Sequence, residues 1–279
     1  MTDARSRDLY SRTEELDAQT LRGIAEVLEL RGRHPQQQAI RAAYLDLVPA
    51  WAGRRVLEIG CGTGVVSREI ARRVGPTGSV IALDPCRAFL EHAERLAVAD
   101  GLSTLTFREA DARSLDLPDG AFDIAVAVTV LCHVPGRDAV LRELRRVARP
   151  GGYVLVMDGD YASNQLAHPD RALTERIVDA WRGQVVDDPR LVRRLGPLLA
   201  EAGLVVEDVR GHVHVELGRV DEATSFIWQW SLFALKQALA AGALTEAEGD
   251  GWLAQLRHLH AEGGLFGSVN YVSVLARRP

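Results

Sequence analysis

A chain of 279 residues with 47% hydrophobic and 25% charged residues can bury the core of one elaborated globular domain. The formal net charge is −5, and the arginines recur at helical spacing without interleaved aromatic residues, so we expect solvated helix faces and no nucleic-acid partner. The number of cysteines is odd, which argues against a disulfide framework. The first twelve residues are polar and no apolar run approaches ~20 residues, so we expect neither a signal peptide nor a membrane partner. Together these features predict a cytoplasmic protein.

Two helices are predicted in the first fifty residues, at 13–30 and 36–48, separated by a Gly and Pro break. We interpret residues 1–50 as an N-terminal helical lid over the main domain, 51–279. In that domain, short β-branched runs alternate with amphipathic stretches, which predicts an α/β fold with a mostly parallel sheet and helices on both faces. The predicted strands of this region are 56–59, 79–83, 105–108, 122–130 and 153–157, and the predicted helices are 65–74, 87–99 and 139–148.

The C-terminal third is predicted to contain a helix at 190–202, a strand at 205–216, helices at 222–240 and 246–262, and a last strand at 269–275. A helical cap insertion at about 218–263 therefore interrupts the sheet. The segment 226–239 carries two apolar stripes, whereas a surface helix needs only one. Either the helix is buried on two sides, or the second stripe roofs a pocket, which we favour. The stripes are Phe226, Trp230 and Phe233, and Trp228, Leu232, Leu235 and Leu239.

The string from Val56 to Gly64 takes an apolar strand into a glycine-rich turn that leads into a helix. Glycines allow the backbone to bend sharply and to come into contact with a ligand. A dinucleotide-binding fold uses the same arrangement, but it needs Gly or Ala three residues after its second glycine. Val65 occupies that position, counted from Gly62, so the spacing argues against a nicotinamide cofactor.

This string resembles the first motif of class I S-adenosylmethionine (AdoMet)-dependent methyltransferases, in the group similar to the ubiquinone and menaquinone biosynthesis enzymes. The resemblance covers the core from about Arg54 to Asp158, and the C-terminal layout resembles actinobacterial natural-product methyltransferases. It implies a Rossmann-like, seven-stranded sheet of order 3-2-1-4-5-7-6, in which strand 269–275 is antiparallel to its neighbours. It also implies AdoMet as the cofactor.

Several residues at the ends of the predicted strands are candidates for binding the cofactor. Asp84 could accept both ribose hydroxyls, although a turn-forming role before Pro85 stays open. The resemblance implies that Asp111 contacts the adenine amino group, with a helix cap as the alternative. Glu58 would fix the amino acid end, and Thr129 would lie beside the methionine part. The remaining candidates are Arg33, assisted by Gln37, for the cofactor carboxylate, together with Gly60, Cys61, Gly62, Pro85 and Ala112.

Methyl transfer from a sulfonium depends mostly on positioning and on excluding water, so the sequence makes no single catalytic residue obligatory. His133 is the best-placed base, and fixing the loop before Pro135 is the alternative. The candidate acceptor contacts are Asp160, Tyr161, Trp228 and Trp230. The pairs His212-x-His214 and His258-x-His260 lack an acidic cluster that would complete a site, so no metal is predicted.

The sequence therefore predicts methyl transfer from AdoMet to a small, partly apolar acceptor, such as a secondary metabolite. One alternative is a protein of the same fold that binds AdoMet without methylating, as a regulator, a cyclase or an isomerase. A nicotinamide oxidoreductase is a further alternative. The acceptor, the choice among oxygen, nitrogen and carbon, and the oligomeric state, including a homodimer, stay open.

Overall fold

Strands and helices alternate along the chain in the computed structural model, which describes residues 8–279. The helices are α1 (Ala18–Arg33), α2 (Pro35–Leu45), α3 (Val65–Val74), α4 (Arg87–Ala99), α5 (Arg137–Val147), α6 (Arg171–Val185), α7 (Leu195–Glu201), α8 (Phe226–Ala240) and α9 (Glu246–Ala261). The strands are β1 (Arg55–Ile59), β2 (Ser79–Asp84), β3 (Leu105–Glu109), β4 (Phe122–Val128), β5 (Ala148–Gly159), β6 (Gln165–Leu166), β7 (Val205–Leu217) and β8 (Phe266–Arg277).

The strands form one sheet in which β3, β2, β1, β4 and β5 lie side by side and are parallel. Strand β8 lies between β5 and β7 and is antiparallel to both, and the two-residue β6 also pairs with β8. The predicted order is confirmed, with β6 as an additional short strand. Because parallel strands end at the same edge of the sheet, the loops that follow β1, β2 and β4 meet there.

The central strands are buried on both faces, as their continuous apolar runs predicted. Val56, Leu57 and Ile59 of β1 have no exposed surface. Helix α3 covers one face of the sheet through Ile70 and Val74, which are also buried. The core therefore lies between the sheet and its helices, and it holds the strand ends in fixed positions.

The lid begins differently from the prediction. Residues Tyr10–Glu15 form a short 3-10 helix, and α1 starts only at Ala18. The cause is Asp17, whose carboxylate accepts hydrogen bonds from the backbone N–H groups of Gln19 and Thr20 and so caps the helix there. The predicted break after α1 is present, and His34 caps α2 by accepting a bond from Gln36 N.

The lid is attached directly to the helix that follows the glycine turn. Arg68 of α3 donates two hydrogen bonds to the carboxylate of Glu29 on α1, at 2.9 and 3.1 Å. Gly32 packs so tightly on Val65 that a Cβ at position 32 would lie 2.6 Å from a valine methyl carbon. The last turn of α1 is therefore in contact with the start of α3.

Helix α6 was not predicted. Asp170 starts it by accepting a bond from Leu173 N, and its buried residues include Ile177 and Trp181. The predicted helix at 190–202 is divided into a 3-10 turn, Leu191–Arg194, and the short α7. Helices α6 and α8 pack against each other, so the cap has one more helix than expected.

No helix within residues 8–279 is long and apolar enough to span a membrane. The three cysteines are buried and form no disulfide bonds.

Candidate functional site

A cavity of about 1780 Å³ lies at the edge of the sheet where β1, β2 and β4 end. The lid contributes one wall, and α6 and α8 contribute another. Of the cofactor, base and acceptor candidates proposed from sequence, those that line it are Gln37, Glu58, Gly60, Cys61, Gly62, Asp84, Pro85, Asp111, Ala112, Thr129, His133, Tyr161 and Trp230. The structure therefore brings together thirteen residues from seven separate parts of the chain.

The glycine turn forms the floor of this cavity. Gly60 has a φ of +61°, and a Cβ at this position would lie 2.4 Å from a methyl carbon of Val130. Cys61 N donates a hydrogen bond to the carbonyl of Leu83 on β2, at 2.9 Å. The turn is therefore fixed against the neighbouring strands, and only glycine fits at position 60.

Asp84 holds the glycine turn through backbone hydrogen bonds. One carboxylate oxygen accepts from Gly62 N at 2.8 Å and the other from Cys86 N at 2.9 Å. Burial raises the pKa of Asp84 to about 6, although both backbone bonds favour the charged form. The carboxylate sets the shape of the turn and also faces the cavity.

Glu58 lies on β1 below the turn, where it accepts a hydrogen bond from the hydroxyl of Ser67. Burial raises the pKa of Glu58 to about 8, with a smaller contribution from the charge of Asp84. The Ser67 bond acts in the opposite direction. In the ligand-free protein, Glu58 is therefore largely protonated at neutral pH.

Asp111 is exposed at the rim of the cavity, and Arg113 donates to it at 2.7 Å. That bond keeps the pKa of Asp111 below its ordinary value. The same carboxylate accepts a hydrogen bond from the backbone N–H of Arg113, which is the geometry of a local cap. Both proposals for Asp111, adenine contact and local cap, are compatible with this geometry.

Thr129 follows β4 with a φ of +53°, the one positive value among the non-glycine residues that the structure describes. Its N–H donates to the carbonyl of Met157 on β5 at 2.7 Å, which holds the backbone in this conformation. A β-branched residue in the left-handed region is strained, and such strain concentrates at functional sites.

His133 lies in the cavity beside Tyr10 and Tyr161, and its Nδ1 is 2.8 Å from a carboxylate oxygen of Asp8. The same oxygen accepts from Asp187 N at 2.9 Å. Burial lowers the pKa of His133, but the Asp8 bond and charge outweigh it, and the pKa is raised overall. Sequence reasoning missed Asp8 because 125 positions separate it from His133.

Three of the proposed residues lie outside the cavity. The Arg33 side chain is 74% exposed, whereas Arg31 lines the cavity beneath the rings of Phe226 and Tyr271. Residues two apart on a helix point in nearly opposite directions, so the last turn of α1 presents Arg31 to the cavity and Arg33 to solvent. The proposed role of Arg33 in holding the cofactor carboxylate has no structural support.

Asp160 and Trp228 are the other two residues outside the cavity. One carboxylate oxygen of Asp160 accepts a hydrogen bond from Arg193 at 3.1 Å, whereas the other, Oδ1, is buried without a partner among residues 8–279. Trp228 packs on His260 with ring centroids 5.0 Å apart and is 2% exposed. Neither residue lies among those that line the cavity, so its geometry gives the two acceptor predictions no support.

Helix α8 is buried on two sides, and one of its apolar stripes faces the cavity. The stripe of Phe226, Trp230 and Phe233 lines it together with Leu232 of the second stripe, while Trp228 and Leu235 of the second stripe pack inside the cap. Trp181 of the unpredicted helix α6 stands beside Trp230, with ring centroids 5.4 Å apart. This acceptor-side wall is therefore aromatic.

A second cluster joins the lid to β7. The side chains of His34, His214 and Glu216 bring one ligand-type atom each within 4.8 Å of one another. His214 Nε2 lies 2.8 Å and His34 Nε2 3.3 Å from the same oxygen of Glu216. His212, considered above with His214 as a possible pair of metal ligands, does not join this cluster. Its ring forms a hydrogen bond with the hydroxyl of Ser273 instead.

The hydrogen bonds of this cluster favour a network without a metal. His34 Nδ1 accepts from Gln36 N at 3.3 Å, so in the neutral ring Nε2 carries the proton and donates it to Glu216. A metal on Nε2 would require the proton on Nδ1, where it would face that N–H. We therefore interpret the cluster as a structural link.

Comparison with known proteins agrees with this fold and this turn. Residues 56–152 match the methyltransferase domain family. A ubiquinone/menaquinone biosynthesis C-methyltransferase from Pseudomonas aeruginosa is 35% identical over 123 residues, which cover 44% of this chain and 48% of that protein. The chain therefore aligns with about half the length of this relative.

Two solved structures share the fold over most of the chain. The [4+2]-cyclase SpnF is 26% identical, with a TM-score of 0.54, covering 89% of this chain and 84% of that one. Phosphoethanolamine N-methyltransferase 2 from Haemonchus contortus, solved with S-adenosyl-L-methionine, is 18% identical with a TM-score of 0.58. The match covers 98% of this chain and 60% of that protein.

A parallel sheet of this order, an antiparallel strand beside its edge and a glycine turn above an aspartate define an AdoMet-binding fold. Residues 56–152 form a methyltransferase domain of the class I, AdoMet-dependent type, and AdoMet is the cofactor of that class.

Proposed function

We propose that this protein transfers a methyl group from AdoMet to a small, partly apolar acceptor. The observation that carries the proposal is that one cavity contains both the glycine turn with Asp84 and the aromatic wall with Trp230. Donor and acceptor would therefore occupy adjacent parts of the same cavity. This arrangement supplies proximity, which is a main requirement of the displacement, and the bound pair would displace water from the site.

The residues present fit the cofactor. Asp84 would bind the ribose hydroxyls, Glu58 would lie below the amino acid end, and Asp111 would meet the adenine. The contact between Gly60 and Val130 leaves no room for a side chain on the floor of the turn, which is what a ligand lying against the backbone needs. When bound, AdoMet supplies a methyl group that is activated by its sulfonium.

The same turn provides the first test. Asp84→Ala should weaken the binding of S-adenosylhomocysteine by about 10- to 100-fold, because a hydrogen bond to a charged group is lost (about 1.5–3 kcal/mol). Isothermal calorimetry measures the change. Asp84→Asn, which keeps one acceptor oxygen, should lie between Ala and the unmodified protein, and Asp116→Ala, at an exposed position outside the cavity, is the matched control.

Calorimetry that detects no binding of AdoMet or S-adenosylhomocysteine to the unmodified protein would contradict the proposed cofactor. Equal affinity in Asp84→Ala would contradict the ribose contact while leaving the methyltransferase proposal standing.

His133 would act as the base where the acceptor carries a proton that must leave, and Asp8 would position it. The bond from Nδ1 to Asp8 orients the ring and directs Nε2 away from that carboxylate. Because the pKa of His133 is raised, the ring becomes a base only above a pH higher than for an ordinary histidine. Turnover that depends on this base should therefore rise with pH through that raised value.

Asp8→Asn should lower the pKa of His133, since burial then acts without the opposing carboxylate charge. An NMR titration of the histidine ring protons, assigned with His133→Asn, measures this pKa. Other groups that face the ring are Asp158, Tyr10 and Tyr161. Asp179→Asn, which changes an exposed carboxylate paired with Arg182, is the control. An unchanged His133 pKa in Asp8→Asn would refute the positioning role of Asp8.

A second candidate function is cyclisation or isomerisation in the same cavity without methyl transfer. The 26% identity to a [4+2]-cyclase over 89% of the chain and the enclosed aromatic wall favour considering it. Such a protein would convert its substrate without releasing S-adenosylhomocysteine. Measuring that product alongside substrate loss separates the two functions.

A further inference from the structure

The aromatic part of the cavity contains polar groups that have no hydrogen-bond partner within residues 8–279. These atoms are Nε1 of Trp181, Nε1 of Trp230, and both Nδ2 and Oδ1 of Asn164. All three side chains line the cavity, and the two tryptophans are 4% and 6% exposed. We call Tyr161, Asn164, Trp181 and Trp230 the acceptor chamber.

Buried N–H groups without a partner are rare in folded proteins, because leaving water without a replacement bond is costly. Other tryptophans of this chain follow the rule. Trp51 donates to the carbonyl of Leu45 at 3.0 Å, and Trp252 donates to the hydroxyl of Thr174 at 2.9 Å. Within residues 8–279, Trp181 and Trp230 are the two tryptophans whose Nε1 is fully buried without a partner, and both lie in the acceptor chamber.

The rings of the chamber form a connected aromatic surface. Trp181 meets Trp230 edge to face at 5.4 Å, and Tyr161 meets Trp181 edge to face at 5.8 Å. Each ring belongs to a different segment, so packing between α6 and α8 fixes their relative positions. Such a surface pairs well with a flat conjugated molecule through offset and edge-to-face contacts.

We propose that the acceptor chamber selects a planar conjugated molecule with at least two hydrogen-bond-accepting oxygens, such as carbonyl or ring-ether oxygens. This inference rests on the proposed function and names its acceptor class. The indole N–H groups of Trp181 and Trp230 donate to these oxygens after a small rotation of the rings. Asn164 offers one further donor and one acceptor, which suits a carbonyl or a hydroxyl.

The chemistry of the donors excludes another class of acceptor. An indole N–H can donate but cannot accept, so an ammonium group would leave both tryptophans without partners. A purely apolar ring system would fill the chamber and leave them equally unsatisfied. Selectivity for oxygenated rings over hydrocarbon rings of the same size is therefore the property that distinguishes this proposal from simple apolar burial.

Coumarin and naphthalene provide a matched pair of probes, because both are flat bicyclic molecules and only coumarin carries accepting oxygens. Equilibrium dialysis against the full chain, saturated with S-adenosylhomocysteine, measures both affinities. Trp230→Phe and Trp181→Phe keep an aromatic ring and remove the N–H. Each should weaken coumarin binding by about tenfold and change naphthalene binding by less than about twofold.

Trp228→Phe is the control, because Trp228 is equally buried but does not line the cavity. It should change neither affinity. The proposal is overturned if coumarin does not bind, if both probes lose affinity equally in the two chamber variants, or if only the control variant responds. Calorimetry of S-adenosylhomocysteine on the same samples separates these results from a failure of the proposed function, in which the cofactor product itself would not bind.

Discussion

The free energy of unfolding of the ligand-free protein should decrease as the pH rises from about 5 to about 8, and Glu58→Gln should remove most of that decrease. Burial raises the pKa of Glu58 from its ordinary value of 4.5 to about 8. A folded-state pKa above the unfolded one means that the stabilising contribution is complete below pH 4.5 and is lost as the pH rises through 8. The size is on the order of a few kcal/mol.

Urea denaturation of both proteins at several pH values between 5 and 9 measures this effect. Gln keeps an oxygen that can accept the Ser67 bond and carries no charge, so its curve should fall less steeply than that of the unmodified protein between pH 5 and 8. Asp84, with a pKa of about 6, and His133, whose pKa is raised above that of an ordinary histidine, account for the slope that remains. Glu91→Gln, at an exposed position paired with Arg87, should keep the original slope. Parallel curves for Glu58→Gln and the unmodified protein would show that Glu58 is charged in the folded state.

Glu216→Ala should destabilise the protein by about 3–5 kcal/mol at pH 7, the range expected when one partner of a buried polar network is removed. Its carboxylate accepts hydrogen bonds from Phe226 N at 2.9 Å, His214 Nε2 at 2.8 Å and the Ser225 hydroxyl. Each donor would stay buried without a partner. The control is Glu207→Ala, which lies on the same strand as Glu216 and removes an ion pair with Arg277 of β8. It should lower the free energy of unfolding by less than about 1 kcal/mol.

The pH dependence of the free energy of unfolding of Glu216→Ala provides a second test. Burial raises the pKa of Glu216, but the bonds from His214 and Ser225 outweigh it, so its pKa is lowered. A lowered pKa contributes stability above the ordinary value of 4.5, and that contribution is lost as the pH falls through the folded-state pKa. The stability difference between the two proteins should therefore shrink in acid. A constant difference from pH 7 to pH 3 would show that the lost bonds do not depend on the charge.

Local signals predicted the glycine turn and the sheet correctly. Gly60 and Gly62 follow an apolar strand within nine residues of sequence, and the position of Asp84 at the end of the second strand follows from the parallel order. Such features are encoded in neighbouring residues, so they can be recognised without knowing how the chain folds. The strand order was available only through the resemblance to a family.

Contacts between distant segments could not be predicted in this way. His133 and Asp8 are in contact although 125 positions separate them in the sequence. Gln37 and His214, which are also in contact, are 177 positions apart. The sequence also does not show which face of α1 points toward the cavity, so it could not distinguish the exposed Arg33 from Arg31, which lines the cavity.

Helix α6 was missed although its signal was present. Leu173, Ile177 and Trp181 recur every four residues and are all buried on one face. Turn-forming residues lie just before this helix, so the start of its periodic apolar pattern was difficult to recognise from the sequence. Recognising this period would have brought Trp181 into the cap and next to Trp230.

The carboxylate of Glu216 connects the lid, through His34, with the first turn of α8, through Phe226 N. These two segments are the opposing walls of the cavity, and at this corner they are tied to the same oxygen atom. Moving one wall away from the other here would break one of these contacts at a buried carboxylate, which is costly, so we expect this corner of the cavity to keep its shape when molecules enter or leave.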